Sequence, residues 1–77
     1  MAPWTRMDER IYAAEIRADD GTRYRLTLER LTERDWDWTV WREDRPNLCR
    51  YGVAPGPTPG FAAAERAVRL LIQDPPH

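Results

Sequence analysis

Residues 11–43, which run IYAAEIRADDGTRYRLTLERLTERDWDWTVWRE, decide the fold because apolar and polar side chains alternate along them in three separate stretches. A period of two is typical of a β-strand with one buried face and one solvent face. The first stretch ends at residues 19–21 and the second at residues 32–34, both of which are polar. The pattern therefore predicts three antiparallel strands joined as a meander.

The length of the first loop sets the register of the first hairpin. A two-residue loop of Asp20 and Gly21 would place Ile16 opposite Arg25, which mixes the core face with the solvent face. A three-residue loop places Ile16 opposite Tyr24 instead. Such a loop is a type I turn closed by a left-handed residue, and we expect Gly21 to take that position with a positive φ. The same parity predicts the other pairs: Ala14 with Leu26, Tyr12 with Leu28, Leu28 with Trp38, and Leu26 with Val40.

The rest of the chain indicates a short edge strand and a helix. Residues 44–47 indicate a turn and residues 48–53 a fourth strand, although Gly52 weakens this prediction because glycine destabilises strands. Thr58 is expected to cap the helix, with Pro59 at its first position. The predicted division is a single domain with a tail at 1–9, a meander at 10–54, a linker at 55–57, a helix at 58–73 and a tail at 74–77.

The helix and the meander each have one apolar face, so they are expected to bury these faces against each other. The predicted fold class is α+β, a three- to four-stranded antiparallel β-meander packed on one face by a single C-terminal α-helix. The predicted core consists of Tyr12, Ala14, Ile16, Tyr24, Leu26, Leu28, Trp36, Trp38 and Val40 on the strands, and Phe61, Ala64, Val68, Leu71 and Ile72 on the helix.

Residues that support catalysis are scarce. Cys49 is the only cysteine, His77 is the only histidine, and the chain contains no serine. A nucleophile needs a base beside it, and a zinc site needs several ligands. We therefore expect no enzyme, no catalytic residues, no cofactor, no metal site and no small-molecule substrate. Cys49 is interpreted as a small hydrophobic residue of an edge strand, with a redox thiol as the alternative.

Charge and patterning bear on the partners and the location of the protein. Twelve basic and thirteen acidic residues give a formal charge of −1, and every basic residue is an arginine. A near-neutral chain lacks the positive field that attracts nucleic acid. The N-terminus has no apolar core of a signal peptide, and no run is long enough to span a membrane. We therefore expect a cytoplasmic protein with no membrane partner.

The solvent face of the meander carries the candidate partner-binding residues, which are Trp41, Arg25, Arg23, Arg17, Glu15 and Glu43. The predicted register places Glu15, Arg25 and Trp41 side by side, with Glu15 and Arg25 as a cross-strand ion pair. An indole on a solvent face exposes much apolar area. Two interpretations remain open: Arg25 stacks on the ring and shelters it, or Trp41 is an interface anchor. Trp4 likewise either folds over a sheet edge or reaches another chain.

Two functional hypotheses follow. The first is a small non-catalytic protein-interaction module that binds a protein through the outer sheet face or a sheet edge. This module is expected to form a homodimer. The chain is rich in alanine and arginine and has no lysine, which indicates a GC-rich coding sequence. This composition and the small size suit a regulator or inhibitor encoded on a bacterial mobile genetic element or phage. The alternative is a small RNA-binding domain, because half of a double-stranded-RNA-binding domain is similar in its meander and helix, and arginines beside Trp41 offer charge and stacking. The charge of −1 makes nucleic acid the less favoured partner.

Overall fold

The computed structural model describes residues 3–73, with only the backbone described for residues 46–49. It confirms the predicted α+β fold class. One antiparallel sheet contains five strands in chain order, and one helix follows them. The elements are β1 (Thr5–Arg6), β2 (Ile11–Arg17), β3 (Arg23–Arg30), β4 (Trp36–Arg42), β5 (Arg45–Ala54) and α1 (Pro57–Gln73).

The first hairpin has the predicted register. Ile16 pairs with Tyr24 across β2 and β3, and Gly21 has a φ of 91°. The amide of Thr22 donates a 2.9 Å hydrogen bond to the carboxylate of Asp20, which holds the turn and lowers the pKa of Asp20. The three-residue loop is therefore confirmed, and with it the separation of the two faces of the sheet.

The second hairpin also follows the predicted parity. Leu28 pairs with Trp38 and Leu26 pairs with Val40 across β3 and β4. In the connecting turn, the Thr32 hydroxyl accepts a 3.0 Å hydrogen bond from the amide of Asp35. A polar turn of this kind satisfies its own backbone groups locally, so its sequence constrains the register less than the alternation of the strands does.

The fourth predicted strand is longer than expected and begins earlier. The prediction of a turn at residues 44–47 is wrong, because the chain reverses at residues 43–44 and β5 already begins at Arg45. The pairing with β4 then shifts between Val40 and Arg42, which is an irregularity that the alternation could not reveal. Gly52 does not interrupt the strand. A Cβ at Gly52 would lie 2.7 Å from the Trp38 ring, so glycine makes room for this indole.

Both ends of the chain depart from the predicted boundaries. Residues 5–6 of the predicted N-terminal tail form β1, in which Thr5 pairs with Ala13 of β2. The helix begins at Pro57 rather than Thr58, since the amide of Gly60 donates a 3.0 Å hydrogen bond to the carbonyl of Gly56. Pro57 thus takes the first helical position that was predicted for Pro59, where a missing N–H has no consequence.

The core lies between the sheet and α1, which packs over β3, β4 and β5. Most predicted core residues are buried or half-buried, but Ile72 is 37 % exposed, since its neighbour Leu71 takes the buried position in the last turn of α1. Within residues 3–73, no helix has the length and hydrophobicity that crossing a membrane requires. The buried hydrophobic residues are Ala14, Tyr24, Leu26, Leu28, Trp36, Val40, Ala54, Ala64, Val68 and Leu71.

Candidate interaction surface

The sheet face opposite α1, called the outer face below, brings the candidate residues together in rows across the strands. The alternation of each strand sends one set of side chains to the core and the other set to this face. The cross-strand pairs define four rows: Glu15, Arg25 and Trp41; Ala13, Thr27, Thr39 and Tyr51; Ile11, Glu29, Asp37 and Val53; and, beyond the first of these, Arg17 and Arg23. We call the second of these the central row.

Trp41 lies on the outer face with 40 % of its surface exposed. It borders a shallow depression together with Arg25, Thr27 and Glu43. The guanidinium of Arg25 lies 3.5 Å from the Glu43 carboxylate, so the charged end of this arginine is held by an acid. Whatever part of the indole the Arg25 stem covers, a substantial apolar area remains open to a partner.

The ion pairs of the outer face differ from the predicted one. Glu15 does not pair with Arg25, which lies directly opposite on β3. Its carboxylate instead lies 3.9 Å from Arg23, and Glu43 lies 3.8 Å from Arg23. Long side chains reach diagonal neighbours as easily as direct ones, so register alone does not select the ionic partner. Such exposed pairs contribute about 0–1 kcal/mol each and can exchange partners readily.

Charge is distributed unevenly along the strand direction. Arg17 pairs in register with Arg23 at the end of the outer face nearest the first turn. At the opposite end, Glu29 lies across from Asp37, as the predicted register required. The first end therefore combines Arg17, Arg23 and Arg25 with the acids Glu15 and Glu43, whereas Glu29 and Asp37 make the opposite end acidic.

Exposed apolar side chains surround the central row. On β5, Tyr51 is 75 % exposed and Val53 is 61 % exposed, and both are adjacent to the outward positions of β4. Met7 lines a second shallow depression that reaches Thr27. The prediction of the site missed these residues. The alternation of Tyr51 and Val53 about Gly52 was the available signal, but the glycine weakened the assignment of the strand.

Trp4 belongs to the other side of the sheet. Its ring centroid lies 4.7 Å from that of Phe61 on α1, and the side chain packs against the core. Of the two alternatives for Trp4, the structure shows that its side chain folds back over the sheet. The indole Nε1 is buried with no hydrogen-bond acceptor among the described residues. The side chain of Cys49 and the whole of His77 lie outside the described residues.

Comparison with protein-family models, with curated proteins and with solved structures found no match in any of the three. The function is therefore inferred from the surface residues themselves. Chemically, the outer face offers an aromatic contact at Trp41, further apolar contacts on β5, and charged groups of both signs that are exposed enough to change partners.

Proposed function

We propose that this chain is a small non-catalytic interaction module that binds a protein partner through the outer face. The observation that supports this proposal is the exposed Trp41 on a sheet face that α1 leaves open, with Tyr51 and Val53 exposed on the neighbouring strand. Tryptophan is enriched among residues that dominate binding energy, and an exposed apolar patch often marks an interaction site. Burial of this patch is the main gain from binding.

The charges of the outer face favour a protein over nucleic acid. Arg23 and Arg25 are both within ion-pair distance of Glu43, and Glu15 is close to Arg23. Phosphate binding by these arginines would require them to leave their carboxylates, and the carboxylates would remain to repel the phosphates. Affinity for nucleic acid depends on release of counterions by unpaired positive charge. A protein surface with charges of both signs meets no such conflict.

We further propose that the module acts in the cytoplasm as a regulator or inhibitor. A chain of 77 residues with an open aromatic surface is suited to covering a site on another protein rather than to performing chemistry. Its origin on a bacterial mobile genetic element or phage stays a prediction from composition. RNA binding is the alternative that the following experiment distinguishes.

The decisive experiment compares Trp41→Ala with Leu70→Ala. Leu70 is 58 % exposed on α1, so it is a matched apolar side chain away from the outer face. The tagged wild-type chain and both variants are used to capture partners from a host lysate, with and without nuclease, and the recovered protein is then titrated. We expect Trp41→Ala to weaken binding about 30-fold, equivalent to about 2 kcal/mol, with Leu70→Ala close to wild type.

Thermal melts are the control, because both variants should keep a melting temperature close to that of the wild type. Equal recovery by wild type and Trp41→Ala would contradict binding through the outer face. If only Leu70→Ala weakens binding, the interface lies on α1 and the β5 edge instead of the outer face. Recovery that disappears on nuclease treatment would replace the proposal with RNA binding.

A further inference from the structure

We infer that the partner of the outer face is a second copy of the chain, stacked face to face about a two-fold axis that runs across the strands. This inference rests on the proposed function, since it names the occupant of the same surface. It goes further by specifying the orientation of the two sheets and the residues that meet. The arrangement of charge and apolar area on the outer face supports it.

The uneven charge of the outer face is complementary to itself. In β3, Arg25 lies two residues before Thr27 of the central row, and Glu29 lies two residues after it. Each is therefore about 6.6 Å along the strand from Thr27, on opposite sides. A two-fold operation that exchanges the ends of the strands places each of these residues over the other. An isologous interface repeats every such contact, so the dimer would contain two Arg25–Glu29 pairs. In each pair Arg25 exchanges Glu43 for Glu29 of the second copy, and Glu43 keeps its contact with Arg23.

Only one orientation of the two-fold axis has this property. An axis along the strands would keep the ends in place, so that arginines face arginines and the acidic row of Glu29 and Asp37 faces itself. An axis across the strands places the row of Arg25 over the row of Glu29. Opposed like charges across an interface are strongly unfavourable, whereas opposite charges fix the orientation of the partners. The charge pattern therefore selects the axis across the strands, close to the central row.

The same orientation stacks the central row on its own copy and covers Trp41. The central row would pack on its own copy, and three of its members, Ala13, Thr27 and Thr39, are small enough for two sheets to approach to about 10 Å. Trp41 would lie over Asp37 of the second copy, with Val53 as the next member of the same row. Sheets that pack in this aligned way keep their strands within about 30° of each other. The second copy would thus cover the exposed apolar area on the outer face of β4 and β5.

The size of the outer face predicts a reversible dimer. Strands of seven residues are about 23 Å long, and four strands spaced by about 4.8 Å extend about 19 Å, which gives a flat area of about 450 Å². Stable interfaces bury about 800 Å² per partner. Interdigitating side chains raise the buried surface above the flat area, but the face remains at the small end of this range. We therefore expect a dissociation constant in the micromolar range.

Charge reversal tests the orientation. Arg25→Glu would oppose two acids at each pair, and Glu29→Arg would oppose two arginines. We expect each variant to raise the dissociation constant of the dimer at least tenfold by sedimentation equilibrium. The double variant carries the pair in reverse and should regain most of the affinity. Arg66→Glu, on the exposed side of α1, is the matched control and should dimerise like the wild type.

Mixing the two single variants is the sharpest measurement. In a heterodimer of Arg25→Glu with Glu29→Arg, one pair joins two introduced charges and the other joins the two native ones, so both pairs are attractive. We expect the equimolar mixture to dimerise although neither variant does so alone. A variant that is merely misfolded could not be restored in this way, and circular dichroism melts verify the fold of each.

The possible failures separate the two proposals. A wild-type chain that stays monomeric to about millimolar concentration, well above the expected constant, would overturn the inference. If such a monomer still binds another protein in a Trp41-dependent manner, the proposed function survives. If Trp41→Ala changes neither the mass nor any binding, both proposals fall. A dimer whose affinity does not respond to the charge variants would overturn the face-to-face orientation.

Discussion

The two faces of β3 differ in burial and in charge. The inward residues Tyr24, Leu26 and Leu28 are buried, while the alternate residues Arg23 and Arg25 are exposed and carry charges. Neighbouring residues of one strand therefore differ in what a substitution would change. An inward change alters packing in the core, whereas an outward change alters the chemistry of the solvent-exposed face.

The magnitudes of the interactions reinforce this contrast. Leu26 is 0 % exposed and sits in the main core cluster, so its whole side chain contributes to the free energy of unfolding. The ion pairs of Arg23 and Arg25 on the outer face are exposed and contribute about 1 kcal/mol or less. Stability in this chain therefore depends mainly on the inner face.

The largest expected difference between the faces is measured with the adjacent residues Leu26 and Thr27. Leu26→Ala removes buried methyl groups and leaves a cavity under α1, so it should lower the free energy of unfolding by about 2–5 kcal/mol. Thr27→Ala shortens a half-buried side chain on the outer face and should lower the free energy of unfolding by about 1 kcal/mol or less. Urea denaturation followed by tryptophan fluorescence measures both. Similar losses for the two variants would contradict the separation of the faces.

A smaller effect is expected at Trp4, which extends the inner face beyond the meander. Trp4→Ala loses the packing on Phe61 and should cost about 1–3 kcal/mol, less than a fully buried tryptophan. Trp4→Phe keeps an aromatic ring there and removes the buried N–H that has no acceptor. We therefore expect Trp4→Phe to cost less than about 1 kcal/mol in the same denaturation experiment. Equal losses would show that ring packing is not what holds Trp4.

The smallest expected effect tests the turn that assigns residues to the two faces. Gly21 has a positive φ, and nothing lies within 4 Å of an added Cβ, so Gly21→Ala encounters only backbone strain. We expect a loss of about 1 kcal/mol. Gly21→Asn should lose less, because asparagine tolerates the left-handed region better. The order glycine, asparagine, alanine in melting temperature checks this, and an alanine variant as stable as wild type would contradict it.

Local pattern was sufficient for most of the fold. The alternation in residues 11–43 and the glycine of the first loop correctly predicted the strand order, the pairs from Ile16–Tyr24 to Leu26–Val40, and the inner face. These features depend on neighbours in the sequence, because a one-residue slip would expose every apolar side chain of a strand. The row of Glu15, Arg25 and Trp41 followed from the same parity, which is why the centre of the candidate surface was predictable.

What the sequence by itself determined, then, is the fold class, the register of the two central hairpins and the exposure of Trp41. Only the tertiary structure decided the features that depend on distant contacts. Trp4 packs on Phe61, Gly52 gives space to the Trp38 ring, and Arg23 rather than Arg25 pairs with Glu15. These choices join residues far apart in the chain or select among several side chains within reach. Periodicity along one strand specifies the face on which a side chain lies. It contains no information about which distant residue, or which of several nearby side chains, that side chain contacts.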